Sequence, residues 1–174
     1  MKIMYKTLIG VMGPGEPAQP QIEQVAYELG KRIAQEGWGV LTGGRNTGVM
    51  EAASQGAKSA GGLTIGILPT SETRCLSEAV DIPILTDMGN ARNNINVLSS
   101  QVVIGCGMGA GTASEIALAI KAHKPVILME VEPPTQSFFQ KLSVRPVLFA
   151  PNPAIAIEMT REILAKETYL YNHE

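Results

Sequence analysis

Short apolar runs alternate along the chain with longer segments whose apolar positions recur every three to four residues. The run "KTLIGVMG" is typical of a buried strand, and the segment after it places Ile22, Val25, Leu29 and Ile33 on one helical stripe. Alternation of buried strands with amphipathic helices is typical of a parallel sheet that is covered on both faces. The pattern therefore predicts a doubly wound α/β fold with a mainly parallel sheet.

The same alternation continues to the end of the chain. Helices are predicted near residues 48–62, 90–99 and 112–123, and a last helix has Asn152 as N-cap and Pro153 at its first position. The segment "VEPPTQSFFQKLSVRP" is predicted to be a loop with one helical turn. No repeat or linker interrupts the pattern, so residues 1–174 are predicted to form a single domain. Six further strands are predicted: "WGVLTGG", "LTIGILP", "IPILT", "VVIGCG", "PVILME" and "PVLFA".

Composition and charge narrow the classes of function. Hydrophobic residues make up 45% of the chain and charged residues 17%, which favours an ordered soluble protein. A net charge of −2 predicts attraction neither to nucleic acid nor to an anionic membrane, and no apolar run reaches the roughly 20 residues of a transmembrane helix. The two cysteines, Cys75 and Cys106, have no metal-binding spacing. The protein is predicted to be cytoplasmic, with no metal site built from its side chains.

Three glycine-rich turns follow predicted strands and are the candidates for ligand binding. They read "GVMGPGEP", "TGGRNTGVMEAA" and "GCGMGAGTASE". Ligands of open parallel sheets bind at the carboxyl ends of the strands, and free amides at a helix N-terminus attract phosphate. The chain has neither a GxxxxGK[ST] run nor a GxGxxG turn after the first strand, so neither ATP nor NAD is predicted. The turns predict a small anionic, phosphorylated ligand.

Two of these segments resemble the signature loops of the LONELY GUY-type proteins, once called lysine decarboxylases. They are "TGGRNTGVMEAASQGA" and "GMGAGTASEIALAIKAHKPVIL", and the resemblance extends over residues 6–129. It implies a Rossmann-like fold in a homodimer or a larger homo-oligomer, up to a tetramer. Against the signature PGGxGTxxE, the proline position is Gly107, the two glycine positions are Met108 and Gly109, and the matching residues are Gly111, Thr112 and Glu115.

The resemblance implies two functions. Enzymes of this superfamily cleave the N-glycosidic bond of nucleoside 5′-monophosphates with an Arg and a Glu, which correspond here to Arg92 and Glu115. A neighbouring branch, the molybdenum cofactor carrier proteins, binds the phosphorylated pterin without converting it. The loops "GGRNTGVMEAASQGA" and "GAGTASEIALA" are more similar to the carrier branch. A carrier of the molybdenum cofactor, with hand-over to molybdoenzymes, is therefore the first expectation, and a phosphoribohydrolase is the alternative.

A third class is a nucleotide-reading sensor or an accessory of DNA processing, because related Rossmann-like domains serve there. The low charge and the absence of basic clusters disfavour direct contact with DNA.

The predicted ligand-binding residues come from the three turns and from the arginine that precedes the third. Arg45 and Arg92 would neutralise the anion, because a guanidinium binds phosphate bidentately. The full set is Gly13, Gly43, Gly44, Arg45, Asn46, Thr47, Gly48, Arg92, Gly107, Met108, Gly109, Ala110, Gly111, Thr112 and Glu115.

Three of these turn positions, and Cys106 at the end of the strand before them, have competing interpretations. Thr112 and Glu115 also fit a capping box, in which each side chain would bond the other's backbone amide. Met108 would narrow the approach to the turn and so alter or exclude a nucleotide phosphate. Cys106 could ligate molybdenum, although a buried apolar role is far more common for such a cysteine.

Overall fold

The computed structural model describes residues 6–15 and 18–171, with side chains described up to Lys166. In this part of the chain the strands are β1 (Leu8–Met12), β2 (Gly39–Thr42), β3 (Thr64–Leu68), β4 (Ile82–Leu85), β5 (Val102–Cys106), β6 (Val126–Met129) and β7 (Leu148–Phe149). The helices are α1 (Pro20–Gln35), α2 (Gly48–Ser59), α3 (Asn93–Leu98), α4 (Ala110–Lys121), α5 (Pro133–Leu142) and α6 (Pro153–Tyr171), and a 3₁₀ helix (Gly89–Arg92) precedes α3.

The strands form one parallel sheet in the order β4-β3-β2-β1-β5-β6-β7. The chain starts in the middle, moves outward to β4, and then crosses back to place β5 beside β1. The strand order therefore reverses between β1 and β5. The predicted doubly wound α/β fold is confirmed, and this reversal is where such sheets bind ligands.

Successive residues of the central strands bury into opposite faces of the sheet. Val11 packs in a cluster with residues of α1, α2 and α6, and Met12 packs in a second cluster with residues of α3, α4 and α5. Both side chains are almost fully buried. Because parallel strands are covered on both sides, they read as continuous apolar runs rather than as an alternating pattern.

Glycine allows α1 and α2 to approach each other closely. An added Cβ at Gly30 would collide with the carbonyl group of Ala53, and one at Gly56 would collide with the carbonyl group of Tyr27. This packing fixes α2 against α1. Since the first residues of α2 follow the β2 turn, the packing also fixes the turn that carries Arg45.

The prediction for the segment after β6 is wrong. In place of a loop with one turn, residues 133–142 form the ten-residue helix α5, which begins at Pro133. The N–H group at the first position of a helix has no partner within the helix. Proline lacks this group, so it is compatible with a helix that starts at Pro133. Only Phe139 of α5 is buried, which explains the weak apolar periodicity.

At the start of α6 the predicted cap is confirmed. The Ile155 amide donates to Oδ1 of Asn152 at 3.0 Å. Across the described ranges, no helix combines the length and the apolar character that crossing a bilayer requires.

Candidate anion-binding site

A cavity of about 260 Å³ opens at the carboxyl ends of β1, β2 and β5, where the strand order reverses. Nine of the predicted residues line it, contributed by all three glycine-rich turns and by the 3₁₀ helix. They are Gly13, Gly43, Arg45, Arg92, Gly109, Ala110, Gly111, Thr112 and Glu115. The fold therefore brings together residues that are more than 100 positions apart in the sequence.

Sequence reasoning missed several lining residues. Asn90 and Asn93 flank Arg92 and face the same cavity. The run of amides in "GNARNN" was a signal for them, because it surrounds a predicted site residue. The other missed positions belong to β1, its turn and α2: Val11, Met12, Pro14, Gly15 and Met50.

The remaining predicted residues lie outside this cavity. Asn46, Thr47 and Gly48 line a separate groove beside α2. Gly44 and Gly107 line neither this cavity nor that groove, and both have left-handed backbone, with φ of +74° and +73°. These two glycines shape their turns, because L side chains rarely adopt that conformation.

Met108 also lies outside the cavity, and the expectation that it narrows the approach is wrong. Its side chain packs against the apolar cluster beneath α4 and lines a neighbouring groove near Ile22. Gly107 has left-handed backbone, and the residue that follows it turns away from the cavity.

The β2 turn holds Arg45 between two fixed backbone segments. Arg45 pairs with Leu76 in an antiparallel bridge, and the Asn46 amide donates to the carbonyl of Cys75 at 2.9 Å. Gly43 leaves room for the second arginine, because a Cβ there would lie 2.6 Å from Nη2 of Arg92. Two guanidinium groups therefore approach the same cavity from different elements.

The predicted capping box is wrong. Helix α4 begins at Ala110 with Gly109 as its N-cap, and no side chain caps it. Thr112 thus lies inside the first turn, and its Oγ1 is buried without a hydrogen-bond partner among the described residues. Glu115 is one turn into the helix, where its side chain turns toward α3 and the cavity instead of toward the helix start.

The Glu115 carboxylate is held by two donors. Arg92 Nη1 donates to Oε1 at 3.3 Å, and Asn96 Nδ2 donates to the same oxygen at 2.8 Å. Arg92 and Asn96 are four positions apart, so they lie on the same side of adjoining helical turns. Arg92 is 9% exposed and Glu115 is 6% exposed, so this ion pair is shielded from water.

Burial dominates the protonation of both partners. It raises the pKa of Glu115, against the lowering effects of the Asn96 hydrogen bond and of the Arg92 charge. Burial also lowers the pKa of Arg92, and the like charge of Arg45 adds to this, while Glu115 opposes it. Two arginines and one glutamate line the cavity, and the single ion pair between Arg92 and Glu115 is long. The cavity therefore keeps net positive charge, which an anion would neutralise.

Cys106 is fully buried at the end of β5, and its Sγ donates to the carbonyl of Ile22 at 3.7 Å. Burial, assisted by the charge of Glu130, raises the pKa of this thiol to about 12. Because Cys106 is fully buried and does not line the cavity, its sulfur is poorly placed to ligate a metal there. The described residues contain no group of three His, Cys, Asp or Glu side chains arranged to hold a metal ion.

The fold and the cavity define a Rossmann-like α/β protein whose candidate ligand site lies at the switch point of its sheet. The model of the SLOG cluster4 family matches residues 6–157, and the chain belongs to this family. The resemblance of the two glycine loops to LONELY GUY-type proteins is thereby confirmed.

Two solved structures are similar to this chain over almost their whole length. One is the molybdenum cofactor binding protein of Rippkaea orientalis, with 59% sequence identity, a TM-score of 0.91, and coverage of 93% of this chain and 99% of that one. The other is the molybdenum cofactor carrier protein of Chlamydomonas reinhardtii, with 51% identity, a TM-score of 0.88, and coverage of 92% and 99%.

A more distant relative is an enzyme. The cytokinin riboside 5′-monophosphate phosphoribohydrolase of Mycobacterium tuberculosis is 27% identical over 130 residues, which is 70% of each chain.

Proposed function

We propose that this protein binds the molybdenum cofactor and carries it without converting it. The observation that carries the proposal is the similarity to the molybdenum cofactor binding protein of Rippkaea orientalis, at 59% identity and a TM-score of 0.91. The similarity extends over 93% of this chain and 99% of that chain.

The side chains of the cavity fit a phosphorylated ligand. Arg92 Nε and Thr112 Oγ1 are buried without a partner among the described residues, and both residues line the cavity. A buried polar group without a partner is destabilising by about 1–3 kcal/mol. A ligand that brings oxygen acceptors to this wall would offset that penalty.

The backbone of the second glycine loop fits the same ligand. The first amide of α4 that bonds within the helix is that of Ala113, which donates to Gly109 at 2.8 Å. The earlier amides therefore remain available at the positive end of the helix dipole. A Cβ at Gly111 would meet no protein atom within 4 Å, so the packing of the described residues does not require this glycine. It leaves space for a ligand beside the amides.

In this function the two arginines and the amides of α4 hold the phosphate of the cofactor. The cofactor supplies the molybdenum chemistry to the molybdoenzyme that receives it, and the carrier contributes binding and the exclusion of water and oxidant. The cofactor is cargo here, so no bond needs to be made or broken in the cavity.

The test is an anaerobic titration of the purified protein with isolated molybdenum cofactor, in the presence and absence of AMP. We expect saturable binding that AMP barely disturbs, and weaker binding for Arg45→Gln. Glu78→Gln, an exposed change outside the cavity, serves as the control and should leave the affinity unchanged. Absence of saturable binding would refute the carrier function.

A second candidate is a nucleoside 5′-monophosphate phosphoribohydrolase. The observation that favours it is the position of Glu115, whose carboxylate is not used as a helix cap and lines the cavity beside Arg92. In such an enzyme the carboxylate would stabilise an oxocarbenium-like sugar or activate water. Release of adenine from AMP, abolished in Glu115→Ala, would support this function over the carrier.

Assembly, location and hand-over extend the proposal. We expect residues 1–174 to act as one domain within a cytoplasmic homo-oligomer, dimeric or tetrameric, that passes its cargo to molybdoenzymes. The edge strand β4 supports assembly, because Ile82, Ile84 and Leu85 are 42–45% exposed there. Light scattering coupled to size-exclusion chromatography measures the oligomeric state, and a monomer at micromolar concentration would contradict this part.

A further inference from the structure

The Glu115 carboxylate presents one oxygen to the protein and keeps the other available. Both donors, Arg92 Nη1 and Asn96 Nδ2, bind Oε1. Oε2 accepts no hydrogen bond from the described residues, and it is not one of their fully buried unpaired atoms, so it remains accessible. Glu115 itself lines the cavity. A bound molecule therefore meets a hydrogen-bond acceptor at this point of the wall.

An acceptor at this position conflicts with a simple anion site. The charged residues that line the cavity are Arg45, Arg92 and Glu115, so two attract an anion and one repels it. An ionised carboxylate can only accept hydrogen bonds. An anion that carries a donor facing Glu115 can contact all three residues favourably, whereas an anion without a donor meets the repulsion of the carboxylate.

Asn96 favours the ionised state of Glu115. Asn96 is fully buried, and its Oδ1 has no partner among the described residues. An apolar side chain at position 96 would leave no unpaired oxygen. The buried amide of Asn96 therefore lowers the stability of the fold. The Asn96 amide gives Glu115 a neutral donor, which stays in place when an anion binds to Arg92. Together with the charge of Arg92, this donor opposes the raising of the Glu115 pKa by burial.

We infer that Glu115 makes this cavity selective for an oxyanion that carries a hydroxyl donor, as protonated phosphate does, over a fully ionised oxyanion such as sulfate. The choice of phosphate rests on the proposed function, whose ligand carries a phosphate monoester that supplies this donor in its monoprotonated form. A site built to bond a ligand hydroxyl rejects the analogue that lacks it, because a buried polar group is then left unpaired. Here the analogue also brings its charge against the carboxylate, which adds repulsion to the lost hydrogen bond.

The test uses inorganic phosphate and sulfate as probes in separate calorimetric titrations at neutral pH and matched ionic strength. Phosphate retains at least one P–OH group under these conditions, whereas sulfate retains none. We expect the protein to bind phosphate about tenfold or more tightly than sulfate, the effect of one hydrogen bond to a charged group.

Glu115→Gln is the decisive variant. Its amide has the shape of the carboxylate and offers both an acceptor and a donor, so we expect sulfate to gain affinity and the preference to fall close to one. Glu78→Gln makes the same chemical change on an exposed residue outside the cavity and should keep the preference of the unmodified protein. Thermal unfolding of each variant checks that the fold is retained.

Each outcome decides the inference. Equal affinity of the unmodified protein for the two anions, or no binding of either, overturns it without reference to any variant. A preference that persists in Glu115→Gln overturns the assignment to this residue. Failure of the cofactor titration with the phosphate preference intact would refute the carrier function alone, and the reverse result would refute this inference alone.

Discussion

At Gly13 an added Cβ would lie 2.5 Å from the carbonyl oxygen of Cys106, whereas at Gly111 it would meet no protein atom within 4 Å. Both glycines line the cavity. We therefore expect Gly111→Ala to raise the free energy of unfolding by about 0.5–1 kcal/mol, because alanine is the better helix former. The same change should weaken cofactor binding, since its methyl group occupies ligand space.

Denaturant unfolding and the cofactor titration measure these two effects separately. Gly13→Ala is the matched control, and its steric conflict should destabilise the fold by about 1–3 kcal/mol. Tight cofactor binding by Gly111→Ala would show that the open space beside this glycine is not used.

Cys106 allows a prediction about contact with the molybdenum of the bound cofactor. Its buried thiol, with a pKa raised to about 12, does not supply a thiolate at neutral pH. Cys106→Ala should therefore bind the cofactor within about twofold of the unmodified affinity, after a modest loss of stability from the removed sulfur atom. The cofactor titration measures this, and a loss of binding in a folded Cys106→Ala variant would identify the sulfur as a ligand.

The roles of Thr112 and Glu115 could not be predicted from their spacing, although their membership of the site could. The pattern Thr-x-x-Glu fits a capping box, but a helix that starts two residues earlier, at Ala110, gives both side chains other surroundings. The partners of Glu115 lie about 20 residues earlier in the sequence, on Arg92 and Asn96. No local pattern reveals such a contact, because it depends on the packing of α3 against α4.

At the scale of elements, Asp81 ties the edge strand β4 to its neighbours. Its Oδ2 accepts hydrogen bonds from the amide and the hydroxyl of Thr64, both at 3.0 Å, and Oδ1 pairs with Lys58 of α2. The Lys58 hydrogen bond, with those of Thr64, holds the pKa of Asp81 below its ordinary value against the effect of burial. The ionised carboxylate therefore stabilises the junction of α2, β3 and β4.

A lowered pKa fixes the sign of the pH dependence. The contribution of Asp81 is present above the ordinary aspartate pKa and is lost as the pH falls through the lower pKa of the folded state. We expect Asp81→Asn to reduce the free energy of unfolding at neutral pH by about 1 kcal/mol, a value discounted for solvent exposure. Below the folded-state pKa the variant and the parent should converge.

Urea unfolding over a series of pH values measures this convergence. Glu78→Gln is the control, because it removes an exposed carboxylate that makes no hydrogen bond or ion pair within the described ranges. A constant difference between Asp81→Asn and the parent at all pH values would contradict the linkage.

Elements with continuous apolar runs or strong end signals could be predicted, and α5 could not. The strands of the described residues are apolar runs, buried in the middle of the sheet and exposed at the edge strand β4, and α6 has both an Asn cap and a proline at its first position. Helix α5 instead packs against α4 through one buried residue, Phe139, and exposes Phe138 and Leu142. Its sequence therefore lacks the apolar stripe by which helices are recognised.

At the scale of the whole molecule, the cavity exists because three strands end at the same edge of the sheet. Parallel strands place their carboxyl ends together, so turns that are distant in sequence could be predicted to meet there. Which side of each turn faces the cavity depends on backbone conformation. The positive φ at Gly107 therefore separates Met108 from the neighbouring Gly109, which the sequence alone does not reveal.

Binding at this position should stabilise the entire fold, because the cavity joins elements from β1 to α4. A ligand present at about 100 times its dissociation constant adds about 2.7 kcal/mol to the free energy of unfolding. For a chain of this size that corresponds to an increase in Tm of about 5–11 °C. We expect this increase with molybdenum cofactor under anaerobic conditions at fixed protein concentration.

Arg45→Gln distinguishes site-specific stabilisation from a general effect of the added ligand. Arg45 is exposed, and among the described residues its side chain makes no hydrogen bond or ion pair, so the Tm of the unliganded variant should stay close to that of the parent. Its ligand-induced increase should be smaller at the same cofactor concentration, because one of the two guanidinium groups is lost. An equal increase in both proteins would show that the cofactor binds elsewhere, since occupancy of this cavity depends on the charge that Arg45 supplies.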